Sequence, residues 1–117
     1  MEVLIVEPLD PEVLEWLSQR HRVRYAPELA EQPTRLRQAM SQAHAVILPP
    51  SSTLDSLSIQ AAPLLRAVGR LSAGAENVDM EACVRAGIEV VRANDASAIA
   101  EAEFVIGALL QLLRRVP

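Results

Sequence analysis

The stretch RAVGRLSAGAENVDMEACVRAGIEVVRANDASAIAEAE, residues 66–103, decides the fold of this chain. The apolar run over residues 65–70 has the length and character of a buried strand. The small residues at 72–75 interrupt it, and they predict a turn whose backbone N–H groups can come close to a ligand. The stretch therefore begins with a strand that leads into a turn open to a ligand.

A short helix and a second strand follow this turn. Asp79 occupies the position of an N-cap ahead of residues 80–86, and Gly87 supplies the glycine that commonly ends a helix. Residues 88–91, Ile-Glu-Val-Val, then predict a second short strand. Together these pieces form one β-turn-α-β unit. Its turn lies at the carboxyl end of a strand, which is where open α/β sheets bind ligands.

Strands and helices also alternate along the rest of the chain, which predicts a parallel, doubly wound α/β sheet with right-handed crossovers. We predict a flavodoxin-like order of 2-1-3-4-5 for its five strands. The predicted strands are residues 3–6, 23–25, 45–48, 65–70 and 88–91. The loops expected at the carboxyl edge of the sheet are residues 7–10, 26–27, 49–53, 72–76 and 92–96.

The longest predicted helix covers residues 97–115. Its apolar residues surround most of the circumference, so more than one side of it must be covered. They are Ile99, Phe104, Val105, Ile106, Leu109, Leu110, Leu112 and Leu113. One small sheet cannot cover such a helix, and we expect a second domain or another subunit to do so. For the chain alone we expect a homo-oligomer formed through this helix.

Length, charge and cysteine content exclude several classes of protein. The chain has 117 residues, a length that fits one domain. Its net charge is −4 and its pI is near 5.1. All eleven basic residues are arginines, scattered without interleaved aromatics, so we expect no nucleic-acid partner. Cys83 is interpreted as a buried small hydrophobe rather than a reactive thiol, and one cysteine allows no intrachain disulfide. With neither a signal peptide nor a membrane span predicted, we expect a cytoplasmic protein.

The central stretch also resembles a known family. Gly69-Arg70, Gly74, Asn77-Val78-Asp79, Gly87-Ile88 and Ala102-Glu103 are similar in order and spacing to the signature of the D-isomer-specific 2-hydroxyacid dehydrogenases, nearest to the phosphoglycerate dehydrogenase branch. The resemblance implies that residues 1–117 are the N-terminal, substrate-binding part of an NAD-dependent oxidoreductase. The Rossmann domain that binds most of the NAD would then lie outside this chain. It also implies a small 2-keto or 2-hydroxy acid as the substrate.

The resemblance assigns a binding role to the turn after the fourth strand. In the family, backbone amides at the positions of Ser72, Ala73 and Gly74 hold the substrate carboxylate, and the residue at Ala73 also approaches the nicotinamide. Successive N–H groups in a turn can bind an anion without side chains. An ordinary β-to-α turn that uses glycine for a positive φ is the alternative. Arg70 is interpreted either as a cation that orients the substrate or as the partner in an ion pair that closes the strand.

No catalytic residue is expected within this chain. The family's catalytic Arg, Glu and His lie further along, and no G-x-G-x-x-G fingerprint occurs here. His21 and His44 precede strands, at the amino edge of the sheet, and we interpret both as solvated turn residues. Residues 112–117 resemble the family's hinge, which favours a domain of a longer enzyme over a naturally short relative. The chain alone is therefore predicted to be inactive.

The sequence departs from the family pattern at three places, and one alternative function stays open. Pro49 stands where phosphoglycerate dehydrogenases tend to have an arginine, Ser72 replaces a glycine, and Arg92 begins Arg-Ala-Asn in place of Asn-Thr-Pro. Arg92 either supplies the missing charge or is solvated. The alternative function is a non-enzymatic, flavodoxin-like protein-interaction module. Its phosphoreceiver version is excluded because the chain contains no lysine.

Overall fold

Five parallel strands form the centre of the molecule. The computed structural model describes residues 2–19, 22–70, 78–92, 105, 107–109, 111 and 112. The strands are β1 (Glu2–Ile5), β2 (Arg22–Tyr25), β3 (Ala45–Ile47), β4 (Ala67–Arg70) and β5 (Glu89–Arg92). They pair in the order β2-β1-β3-β4-β5, which confirms the predicted flavodoxin-like order.

The strand ends differ from the prediction by one or two residues. The structure ends β1 and β3 one residue before Val6 and Leu48, which were predicted to belong to them. Both residues still extend the ladder, because Val6 N–H donates to Ile47 O at 2.9 Å and Leu48 N–H donates to Gly69 O at 3.0 Å. The predicted edge strand near residues 23–25 is β2, and three of its four side chains are exposed. The apolar pattern therefore located each strand correctly and its ends only approximately.

Among the described residues, four regular helices connect these strands. They are α1 (Pro11–Ser18), α2 (Pro33–Met40), α3 (Ser56–Gln60) and α4 (Met80–Ala86). Asp10 caps α1 with Pro11 in its first turn, and Pro33 begins α2. A 3-10 helix over Pro27–Glu31 was not predicted; it is too short to show a helical repeat and buries only Leu29. No helix built from the described residues has both the length and the apolarity that a bilayer span requires.

Two aliphatic cores cover the two faces of the sheet. Since side chains alternate along a strand, each strand contributes to both cores. The core beneath α2, α3 and α4 includes Leu4, Val6, Met40, Val46, Leu48, Val68 and Cys83. The core beneath α1 includes Val3, Ile5, Leu17, Ile47, Ala67, Val105 and Leu109. A sheet buried on both faces explains why its central strands are almost entirely apolar.

The described part of the predicted C-terminal helix packs on the second core. Residues 105, 107–109, 111 and 112 are helical, and we call them the C-terminal helical segment. Val105 and Leu109 are buried against the chain's own sheet, so at least this side of the helix is covered without a partner. The other residues of the predicted helix 97–115 lie outside the described residues. Self-association through the helix therefore stays a prediction.

The ends of α4 confirm two sequence predictions and allow a test. The Asp79 carboxylate accepts a hydrogen bond from Ala82 N–H at 3.0 Å, and Gly87 ends the helix with a φ of 74°. We expect Asp79→Ala to lower the free energy of unfolding by about 1 kcal/mol, since it leaves an N-terminal N–H group without its cap. Asp79→Asn, which keeps the capping oxygen, should cost less. Urea denaturation followed by circular dichroism would measure both, and equal losses would contradict the capping role.

Candidate functional site

Arg70 lies at the carboxyl edge of the sheet, at the end of β4. It is 1% exposed, although it carries a permanent charge. Strand alternation places it on the same face as Val68. The predicted binding residues Ser72, Ala73 and Gly74 follow it in sequence and lie outside the described residues. Arg70 therefore marks the point from which the predicted binding turn begins.

The chain re-enters the described structure beside the loop that follows β3. Val78 forms an isolated parallel bridge with Leu54, and Asp79 N–H donates to Leu54 O at 2.8 Å. The segments that leave β3 and β4 therefore meet again at this bridge. Consequently the predicted binding turn has both of its described ends, Arg70 and Val78, held at the same edge of the sheet.

Glu7 is a second ionisable residue at this edge that the sequence reasoning missed. It follows β1 and is half-buried, and its Oε2 atom is buried with no hydrogen-bond partner among the described residues. Burial raises the pKa of the Glu7 carboxyl, while the charge of Arg70 acts in the opposite direction and lowers it. The signal that could have identified Glu7 is an acidic residue directly after the apolar run at residues 3–6. The charges of Glu7 and Arg70 therefore influence each other at this edge.

Between these two residues the loop after β3 supplies a buried hydroxyl. Ser52 is 3% exposed, and its N–H donates to Pro49 O at 3.2 Å. Arg92 ends β5 as the register partner of Arg70, so the two arginine positions are neighbours at the carboxyl edge. Three adjacent strands, β1, β3 and β4, therefore lead to the polar residues Glu7, Ser52 and Arg70.

The other candidate residues lie away from this edge or have structural roles. His44 precedes β3 at the amino edge, as predicted, but it is half-buried rather than a solvated turn residue. Its Nδ1 accepts a hydrogen bond from Glu2 N–H at 3.1 Å and so fixes the start of β1. His21 lies outside the described residues. In the part of the chain that the structure describes, no group of three or more His, Cys, Asp or Glu residues could hold a metal ion.

Cys83 has the buried position that the sequence predicted. It is completely inaccessible to solvent in α4 and belongs to the core beneath that helix. Burial raises the pKa of the Cys83 thiol, and the nearby Asp79 charge raises it further. Because the thiolate is the nucleophilic form of cysteine, both effects make Cys83 unreactive.

Comparison with known proteins assigns the family. Residues 3–107 match the family model described as D-isomer specific 2-hydroxyacid dehydrogenase, catalytic domain. The chain belongs to this family. This confirms the resemblance inferred from the glycine-rich signature, and it favours a dehydrogenase domain over an unrelated interaction module.

One curated relative agrees with this assignment, and two solved structures show the same fold. The D-3-phosphoglycerate dehydrogenase of Methanocaldococcus jannaschii is 29% identical over 117 residues, which are 100% of this chain and 22% of that protein. The structure of the PH0520 protein from Pyrococcus horikoshii has a TM-score of 0.75 at 24% identity and covers 98% of this chain and 34% of that one. An NAD+-bound 3-phosphoglycerate dehydrogenase from Entamoeba histolytica has a TM-score of 0.71 at 21% identity, with 93% and 38% covered. The chain thus spans about a fifth of the curated relative's length.

The raised pKa of Glu7 predicts how stability depends on pH. A carboxyl that is harder to ionise in the folded state destabilises the fold as pH rises, because the unfolded chain loses its proton first. The destabilisation begins near the ordinary glutamate pKa of about 4.3 and is complete above the raised pKa of Glu7. We therefore expect Glu7→Gln to match the wild type at low pH and to become relatively more stable as pH rises.

Urea denaturation of both proteins between pH 3 and pH 8 would test this expectation. Asp55, whose pKa is lowered mainly by a hydrogen bond from Ser58 N–H, contributes the opposite pH dependence. Its contribution is common to both proteins and cancels in their difference. A difference in unfolding free energy that stays constant with pH would contradict the prediction.

Proposed function

We propose that this chain is the substrate-binding domain of an NAD-dependent dehydrogenase that interconverts a D-2-hydroxy acid and a 2-keto acid. The observation that supports it most directly is Arg70, a buried cation at the carboxyl edge of a sheet whose sequence matches the dehydrogenase family. In this proposal Arg70 supplies positive charge for the substrate carboxylate, and the backbone N–H groups of Ser72, Ala73 and Gly74 complete the anion site. Ala73 also borders the nicotinamide.

Physical chemistry supports this role for Arg70. A buried guanidinium is costly unless negative charge compensates it, and a carboxylate substrate brings such charge. An anionic ligand at this edge would therefore be stabilised electrostatically. The parallel sheet supports the same location, since its carboxyl edge is where such folds bind ligands.

The reaction needs a second domain in this proposal. NAD supplies the chemistry of hydride transfer, and a Rossmann domain outside residues 1–117 would hold most of it. Among the residues whose burial the structure describes, Arg70 is the only charged side chain that is fully buried. This chain's own contribution is to bind and orient the 2-keto acid. The acid or base that gives a proton to the carbonyl oxygen, or removes it from the hydroxyl in the reverse reaction, comes from the other domain.

A domain exchange would test the proposal. This chain replaces the matching 22% of the Methanocaldococcus jannaschii enzyme, and NADH oxidation is followed with a panel of 2-keto acids that includes pyruvate, hydroxypyruvate and oxaloacetate. We expect turnover with at least one keto acid in the chimera and none with the chain alone. Quenching of NADH fluorescence provides the control that the nucleotide domain is folded. A chimera that binds NADH but does not oxidise it with any 2-keto acid of the panel would overturn the proposal.

A further inference from the structure

Charged residues are distributed unevenly along the carboxyl edge of the sheet. The segments that follow β2, β1 and β3 are residues 26–32, 6–10 and 48–55, and they contain no arginine, lysine or histidine. Their charged residues are all acidic: Glu7, Asp10, Glu28, Glu31 and Asp55. By contrast, the neighbouring strands β4 and β5 end in Arg70 and Arg92. The arginine positions of this edge therefore lie on one side of the loop after β3, and acidic segments lie on the other.

The loop after β3 borders the region where the substrate carboxylate is proposed to bind. The predicted binding turn follows Arg70, and Val78 at its other described end forms a bridge with Leu54 of this loop. A substrate whose carboxylate is held by Arg70 and the turn would therefore extend its remaining atoms beside residues 49–54. This loop is placed to contact the end of the substrate opposite its carboxylate.

The loop after β3 offers hydroxyl groups and few donors for an anion. Pro49 and Pro50 have no backbone N–H group, and the Ser52 N–H group already donates to Pro49 O at 3.2 Å. Ser51 and Thr53 are exposed, and each hydroxyl group can both donate and accept a hydrogen bond. An uncharged hydroxyl group on the substrate could therefore pair with either side chain.

A second anionic group would be disfavoured beside this loop. Asp55 caps α3, and its carboxylate accepts a hydrogen bond from Ser58 N–H at 3.0 Å. This hydrogen bond is the main cause that lowers the pKa of Asp55, and the charge of Arg37 on α2 has a smaller effect in the same direction. Asp55 is consequently ionised at neutral pH, and Glu7 supplies another carboxyl after the adjacent strand β1. Like charges brought together oppose binding.

We propose that this domain selects 2-keto acids that carry a hydroxyl group, and no second anionic group, at the end opposite the carboxylate, with Ser51 and Thr53 binding that hydroxyl group. The inference rests on the proposed function, because it takes Arg70 and the following turn as the site of the carboxylate. Such selection combines a favourable contact with one substrate and repulsion of its competitor.

The chimera tests this selection directly. Its remaining part comes from a D-3-phosphoglycerate dehydrogenase, so a preference against phosphate would have to come from this chain. We expect kcat/KM with hydroxypyruvate to exceed that with oxaloacetate, and that with the phosphate ester of hydroxypyruvate, by about tenfold or more. An equal or higher kcat/KM with either of these two substrates would overturn the proposal.

Variants of exposed residues separate attraction from repulsion. Ser51→Ala and Thr53→Val should together lower kcat/KM with hydroxypyruvate about three- to tenfold and change that with pyruvate, which lacks the hydroxyl group, less than about twofold. Ser51→Arg should raise kcat/KM with the phosphate ester about tenfold. Gln38→Arg adds the same charge at an exposed position of α2 and should leave it unchanged. Equal losses with hydroxypyruvate and pyruvate would overturn the hydroxyl contact.

The chain itself provides a readout that does not depend on turnover. In ¹H–¹⁵N NMR spectra, hydroxypyruvate should shift the amide signals of Ser51 and Thr53 at a concentration about tenfold lower than its phosphate ester requires. Signals that shift equally with both compounds, or with neither, would overturn the proposal. An inactive chimera would count against the proposed function only, since this titration still decides which compound the loop binds.

Discussion

Gly69→Ala is expected to lower the free energy of unfolding by about 1–3 kcal/mol, because it overpacks a filled core. A Cβ atom at Gly69 would lie 2.9 Å from both Leu109 Cδ1 and Val105 Cγ1, and 3.4 Å from Ile47 Cγ1. The short branched side chain of Val105 has little freedom to move away. Urea denaturation of the chain, followed by far-UV circular dichroism, measures the loss.

The chain contains a matched control for this substitution. Gly107 is exposed in the C-terminal helical segment, and a Cβ atom there would meet nothing within 4 Å. Gly107→Ala should therefore raise stability by about 0.5–1 kcal/mol, through the higher helix propensity of alanine. Adding Val105→Ala to Gly69→Ala should recover part of the loss, since the two sites share one contact. If the Gly69→Ala protein is as stable as the wild type, the C-terminal helical segment does not pack tightly against β4.

Arg70→Met should reduce kcat/KM of the chimera about 30-fold or more, which corresponds to ~2 kcal/mol of transition-state stabilisation. The proposed site would lose its only buried cation among the described residues. We also expect a loss of stability, because removing one of two interacting charges leaves the partly buried Glu7 carboxylate without its compensation. The steady-state rate of NADH oxidation and the unfolding free energy of the chain measure the two effects separately.

Arg85→Met is the matched control for the loss of Arg70. The Arg85 side chain is 67% exposed, and it pairs with Glu81 at 3.5 Å, one helical turn away on α4. Exposed pairs of this kind contribute about 0.5 kcal/mol or less, so activity and stability should both stay near those of the parent. Equal losses of kcat/KM in the two variants would mean that Arg70 acts through the overall charge rather than at the site.

Local patterns were sufficient to predict most of the fold. Alternation of apolar strands with helices predicted the strand order, and Asp79 and Gly87 marked the ends of α4, whose capping chemistry is local. The 3-10 helix over Pro27–Glu31 was missed, because five residues show no periodicity that separates them from a loop. The hydrogen bond from Glu2 N–H to His44 was missed as well, because its partners are 42 residues apart.

The candidate site was less accessible to sequence reasoning. The position of Arg70 at the carboxyl edge followed from the strand pattern, but its nearly complete burial depends on the packing of neighbouring elements. Glu7 is 63 positions before Arg70 in sequence, and only the pairing of β1 and β4 with β3 brings them to one edge. The roles of Ser72, Ala73 and Gly74 stay predictions. The interaction between the charges of Glu7 and Arg70 could therefore be identified only from the structure, whereas the glycine-rich signature could be identified from the sequence alone.

The bridge between Leu54 and Val78 has a practical consequence for engineering substrate preference. It ties the segment that follows β3 to the end of the segment that follows β4, so neither can be exchanged without disturbing the anchor of the other. A graft between homologues should therefore transplant residues 48–54 and 70–78 together, as a single cassette. Swapping either segment by itself would join two halves that evolved with different partners.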